Sequence, residues 1–122
     1  MDTTRGDGKV VWIVDADHWP RASLRAELLE RGYEAIGFES ARDAVLALAL
    51  GRTPRPQLVA VDLTGQTADL ASLRALLRAG APAVGVGGAL EWSSPAVESL
   101  GWAARLRRPV TIGAIAAAVA AL

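Results

Sequence analysis

The chain has 122 residues, 52% hydrophobic and 21% charged, which suits one domain with one core and excludes a disordered polymer. Thirteen basic side chains balance thirteen acidic ones, so the clustered positive excess that nucleic-acid binding requires is missing. With no cysteine there is no disulfide framework, thiol nucleophile or thiolate metal site.

Residues 1–8 are polar and read as a flexible N-terminal segment, without the apolar stretch of a signal peptide. Residues 9–122 read as one domain. No apolar run in it is long enough to span a bilayer, so a cytoplasmic protein with no membrane partner is expected. Lys9-Val-Val-Trp-Ile-Val14 is an almost continuous apolar run rich in β-branched residues, the pattern of a strand covered on both faces. Pro20 offers a helix start, Leu24 and Leu28 its buried face, and Gly32 its end. Tyr33 to Phe38 forms a second, more exposed strand. Ser40-Ala-Arg-Asp43 has capping-box spacing and opens a helix to about Leu50.

The turn-rich stretch Gly51 to Pro56 leads into a third buried strand, Leu58 to Val61, ending at Asp62. Leu70, Leu73 and Leu77 mark a third helix stopped by Gly80. Ala83 to Val86 is a short fourth strand running into Gly87 and Gly88, which read as a flexible loop. A brief helix covers Pro95 to Leu100, a fifth strand Trp102 to Leu106, and a last helix Thr111 to Leu122. Strand and helix alternate five times, which predicts a parallel sheet with helices on both faces, a doubly wound (βα)5, three-layer α/β/α domain.

In such a sheet the working crevice lies at the carboxyl ends of the strands. The residues there are Asp15 to Asp17, Asp62 to Gly65, Gly87-Gly88 and Arg107 to Pro109. A single strand-end Asp is explained as a loop or helix cap. Three of them, Asp15, Asp17 and Asp62, with Arg108 beside them, form an acidic pocket that calls for more. Neighbouring carboxylates repel unless a cation stands between them, and Mg²⁺ is commonly held by one or two carboxylates plus waters. A carboxylate can also act as a nucleophile toward phosphorus. Gly85-Val-Gly-Gly88 lacks the spacing of a phosphate-binding loop, and His18 has no nucleophile in reach of a triad. Trp12 belongs to the core, whereas Trp19, Trp92 and Trp102 fall in or beside loops and are candidates for a partner surface.

Val11-Trp-Ile-Val-Asp-Ala-Asp17, Glu39-Ser-Ala-Arg-Asp-Ala44, Leu58-Val-Ala-Val-Asp-Leu63 and Arg107-Arg-Pro109 together resemble the response-regulator receiver (CheY-like) family, over about Lys9 to Leu122. The resemblance implies a flavodoxin-like fold and a role in two-component, phosphorelay signal transduction, with no enzymatic reaction of its own. It assigns Asp62 as the phosphoacceptor position and Asp15, Asp17, Asp62 and the Thr64 backbone as the Mg²⁺ set. Gly87 and Arg105 fall on the switch positions and Arg108 on the cation position. Several of these depart from the family pattern. Ala16 stands where a direct metal ligand is usual, Gly87 has no hydroxyl, Arg105 replaces an aromatic residue, and Arg108 replaces a lysine. The expected function is therefore that of a pseudo-receiver, a phosphorylation-independent interaction module with a weakened Mg²⁺ site. The alternatives are a working receiver phosphorylated on Asp62 by a histidine kinase, or a small-ligand-binding domain of the same fold.

The last helix carries no charge. Ile112, Ile115, Val119 and Leu122 account for its core stripe, and the rest is Ala and Gly where a solvated helix would carry Arg or Glu. An apolar outer face points to a protein partner or a homodimer through Thr111 to Leu122.

Overall fold

The computed structural model describes residues 6–122. Its elements, in chain order, are β1 (Val10–Val14), α1 (His18–Glu30), β2 (Glu34–Phe38), α2 (Ala41–Leu50), β3 (Leu58–Asp62), α3 (Leu70–Arg78), β4 (Ala83–Gly87), α4 (Ala89–Trp92), α5 (Pro95–Glu98), β5 (Ala104–Arg107) and α6 (Ile112–Ala120). The five strands form one sheet in the order β2-β1-β3-β4-β5, and every pairing is parallel. The sheet is the flavodoxin-like arrangement expected. Of the segment expected to be flexible, residues 1–5 lie outside the described residues. The Gly6 and Gly8 amides donate to the Arg31 and Gly32 carbonyls at 2.6 and 2.8 Å.

Two apolar cores, one on each face, sandwich the sheet. Val11, Ile13, Ala60 and Val86 face α1 and α6, meeting Leu24, Leu28, Ile115 and Val119. Val10, Trp12, Val14, Val59 and Val61 face the other way, toward Ala44 of α2, Leu73 and Leu76 of α3 and Val97 of α5. Because successive strand side chains alternate between faces, a strand that must fill both cores reads as a continuous apolar run, which explains VVWIV and LVAV. Trp12 is fully buried, with its indole N–H given to the Pro54 carbonyl at 2.9 Å.

Helix starts follow side-chain caps. Ser40 accepts from the Asp43 amide, Asp69 from Ser72 and Thr111 from Ala114. Helix α1 begins two residues before Pro20, because Asp17 caps it and accepts from the Trp19 amide. Pro20 then sits in the first turn, where its missing N–H costs nothing. The stretch expected to be a glycine loop is ordered structure. Gly85 and Gly87 are buried residues of β4, and Gly88 opens α4 by donating its amide to the Glu91 carboxylate at 2.8 Å.

Candidate functional site

Strand order reverses between β2-β1 and β3-β4-β5, so chain crossovers leave the sheet in opposite directions on either side of the β1–β3 pair. That geometry opens a crevice at the carboxyl ends of β1 and β3. Asp15, Ala16, Asp17, Pro20, Asp62, Thr64 and Arg108 line one pocket there. Apart from Gly87 and Arg105, the expected site residues do come together, although 46 residues separate Asp62 from Arg108.

Their internal partners are specific. Asp15 follows β1 directly and is only 7% exposed; its Oδ1 accepts the Asp17 amide at 2.9 Å. The Asp15 main-chain carbonyl accepts from the Arg21 guanidinium at 2.8 Å, tying the start of α1 to the strand end. Burial pushes the Asp15 carboxyl above its usual range, and the nearby Asp17 charge adds to that. The Asp17 amide, Arg108 and Arg21 pull the other way without cancelling the burial.

Asp62 closes β3. Its Oδ1 accepts the Thr64 amide at 2.9 Å, and its Oδ2 is ion-paired with Nη2 of Arg108. The Asp62 side chain is 13% exposed and that of Arg108 36%. The Arg108 amide donates to the Gly87 carbonyl at 3.0 Å, which fixes the chain just past β5 beside the end of β4. The Arg108–Pro109 peptide is cis.

The four-part Mg²⁺ set does not survive as a ligand cluster. Among the described residues, no group of three or more His, Cys, Asp or Glu side chains is arranged to hold a metal ion. The reasons are local. Asp17 is turned to the α1 N-terminus as its cap rather than back toward Asp62. One oxygen of Asp62 is held by the Arg108 guanidinium, which already supplies that carboxylate with a cation. With Ala16 offering no donor, the residues present do not fit a hard divalent cation, which needs several oxygen ligands around one point.

The switch positions are rebuilt as well. A Cβ on Gly87 would stand 3.0 Å from Leu63 Cδ1, 3.2 Å from Glu91 Cβ and 3.3 Å from Trp92 Nε1. A side chain there would be tight against all three, and its neighbours would have to give way. At Gly85 a Cβ would meet the rings of Trp92 and Trp102 at 2.7 and 2.9 Å. These two indoles pack edge to face, with centroids 5.8 Å apart. Trp92 donates to the Leu106 carbonyl and Trp102 to the Val97 carbonyl. Both rings remain half-buried, as large side chains often are in a single chain. They cover β4 and β5, a role that the small residues of β4 signalled in sequence. Trp19, by contrast, is 74% exposed. Arg105 points out from β5 and pairs with Glu98 at 3.1 Å on the surface.

No family model matches the sequence, and no curated protein does. Solved structures do match. A signal receiver domain of a response regulator from Bermanella marisrubri superposes with a TM-score of 0.75 at 18% identity, covering 94% of this chain and 98% of that one. The chemotaxis response regulator of Vibrio cholerae gives 0.72 at 16% identity over 91% and 95% of the two chains. A response regulator receiver protein from Burkholderia phymatum gives 0.71 at 20% identity over 93% and 96%. Together with the all-parallel β2-β1-β3-β4-β5 sheet, these likenesses mean that the chain has the receiver-domain form of the flavodoxin-like fold.

Proposed function

We propose that the domain is a signal-transduction module of receiver type that binds a protein partner and works without catalysis and without phosphorylation of Asp62. The ion pair between Arg108 and Asp62 carries this reading. It engages one oxygen of the phosphoacceptor position, while the other accepts from Thr64, so an attack on phosphorus would compete with both contacts. Among the described residues no set of side-chain metal ligands stands beside it to offset the charge of an incoming phosphoryl group. The tight packing around Gly87 supports the same reading. An equilibrium shifts only when a modification interacts differently with the two states, and Gly87 has no hydroxyl with which to make that difference.

The partner-binding part of the proposal rests on α6. Ile115, Ala116 and Val119 are buried against α1 and the sheet, leaving Gly113, Ala114, Ala117, Ala120 and Ala121 exposed without a charge among them. No helix among the described residues is long and apolar enough to cross a membrane. An uncharged surface of small side chains lets another backbone approach closely, which suits a protein partner or a second copy of the chain.

Amide NMR spectra recorded with Mg²⁺ and a small phosphodonor test the reading. Signals from Thr64, Gly87 and β5 are expected to stay in position. Saturable shifts that begin at Thr64 and spread to Gly87 and Arg105 would favour a working receiver served by a histidine kinase.

A further inference from the structure

The formal charge of the chain is balanced, but the charges are unevenly spread. Residues 44–61 and 70–90 hold Arg52, Arg55, Arg74 and Arg78 and no carboxylate. These stretches build most of α2, the turn after it, most of β3, and all of α3 and β4. All four arginines are exposed. None of them is ion-paired among the described residues, where Arg31, Arg105 and Arg108 each have a carboxylate partner.

Exposed apolar side chains lie on the same elements. Ala41 and Ala44 of α2 are buried, so positions 42, 46 and 50 point away from the core, at i, i+4 and i+8. Leu46 and Leu50 stand there 51% and 67% exposed, where a solvated helix carries charge. Single exposed leucines need no explanation, but two set one turn apart make a strip. Helix α3 packs beside α2 and presents Arg74 and Arg78, also one turn apart, to solvent. Both helices cover the sheet face opposite α1 and α6.

The composition of this surface selects its occupant. Leucines bordered by unpaired guanidiniums complement apolar side chains bordered by carboxylates. A nucleic acid would meet the arginines and leave the leucines wet. A bilayer would meet both, but these leucines are already partly covered, and even a whole acyl chain anchors a protein only marginally. An extended peptide is unsuited as well. The sheet edges are β2 and β5, so a strand laid over α2 and α3 would find no backbone to pair with. A helix satisfies its own backbone and brings only side chains.

We propose that the α2–α3 face docks an acidic amphipathic helix of a protein partner, with its apolar side chains on Leu46 and Leu50 and its carboxylates at Arg52, Arg74 and Arg78. The surface is distinct from α6 and from the Asp62 crevice, and its test reads neither.

Amide NMR spectra of the full chain would be titrated with a synthetic helical peptide of about five turns, leucine on one stripe and glutamate on both sides of it. A twin peptide carries lysine for every glutamate. The glutamate peptide should shift α2 and α3 signals saturably and leave α6 in place. It should bind about tenfold or more tighter than its twin, a gap of about 1.4 kcal/mol. Arg74→Glu combined with Arg78→Glu should reverse that order. Leu46→Gln combined with Leu50→Gln should weaken the glutamate peptide about tenfold. If the leucine variant fails to fold, the arginine variant and the wild-type titrations still decide. Equal binding of the two peptides, or an order unchanged by the charge reversal, would overturn the acidic class. Sedimentation of wild type with phosphatidylserine vesicles, in the absence of any peptide shift, would overturn the partner class in favour of a membrane. Absence of saturable shifts, or shifts centred on α6, would overturn the surface.

Discussion

Trp92 stands over Gly87. A Cβ on that glycine would lie 3.3 Å from the indole Nε1, which is itself committed to the Leu106 carbonyl at 2.9 Å. The ring therefore joins α4, β4 and β5 in one packed unit, at the place where a receiver of the usual pattern keeps a hydroxyl. Replacing Gly87 with Ser cannot simply restore what is missing, because the glycine and the tryptophan fit each other.

Gly87→Ser is accordingly expected to destabilise the domain by about 1–3 kcal/mol, the range for overfilling a packed core. Gly85→Ala should cost at least as much, since its Cβ would stand 2.7 Å from Trp92. Urea unfolding of each variant, alone and combined with Trp92→Leu, checks this. Partial recovery in the double variants is the expected sign of direct coupling.

The Asp62–Arg108 pair should behave as a mostly buried ion pair. Arg108→Gln leaves a 13% exposed carboxylate without its cation and should cost about 1–3 kcal/mol. The lower part of that range reflects the partial exposure of the arginine. Asp62→Asn combined with Arg108→Gln should cost less than the sum of the single changes, as measured by denaturant midpoints.

Asp17 should act as a cap. Asp17→Ala should lower stability by about 0.5–1 kcal/mol, and Asp17→Ser should restore most of it, because serine caps equally well. The 3.4 Å bond to Trp19 places the effect toward the weak end. If Asp17→Ser instead behaves like the alanine variant, the carboxylate itself matters and the capping role is insufficient.

Asp15 gives stability a definite pH dependence. Its folded-state pKa lies above the ordinary 3.8, chiefly through burial, so the native state holds this proton more tightly than the unfolded chain. The resulting stabilisation is full below the unfolded value and is lost as pH rises through the raised folded value. Asp15→Asn keeps an oxygen for the Asp17 amide but carries no charge. It should therefore be more stable than wild type at neutral pH, with the difference shrinking as pH approaches 4. Denaturant midpoints across that range provide the check.

The layer architecture was legible because the central strands β1 and β3 fill two cores and read as unbroken apolar runs, while α3 keeps its leucines on one face. The crevice residues were legible because a doubly wound sheet puts its strand ends in one place. What pattern alone could not reveal was how each side chain spends its hydrogen bonds. Asp17 looked like a pocket carboxylate; it lines the pocket but also serves as a helix cap. The glycines of β4 looked like a loop and are sites of close packing by two indoles. In both cases a residue close in sequence, Trp19 for Asp17 and Trp92 for Gly87, competes with the functional reading through a contact that no periodicity encodes. The half-buried Ala118 and exposed Ala117 likewise look alike in sequence but differ in what a charge would do there. Ala117→Glu should weaken self-association or partner binding in sedimentation experiments while leaving the unfolding midpoint within about 0.5 kcal/mol of wild type.

The central claim, that Asp62 is held in an ion pair and not used as a phosphoacceptor, is tested most directly by intact-mass spectrometry. Wild type and Asp62→Asn would be incubated with a small phosphodonor and Mg²⁺ under identical conditions. Both proteins are expected to remain at their unmodified masses. A single phosphoryl adduct on wild type that disappears in Asp62→Asn would contradict the claim and return Asp62 to the role of acceptor.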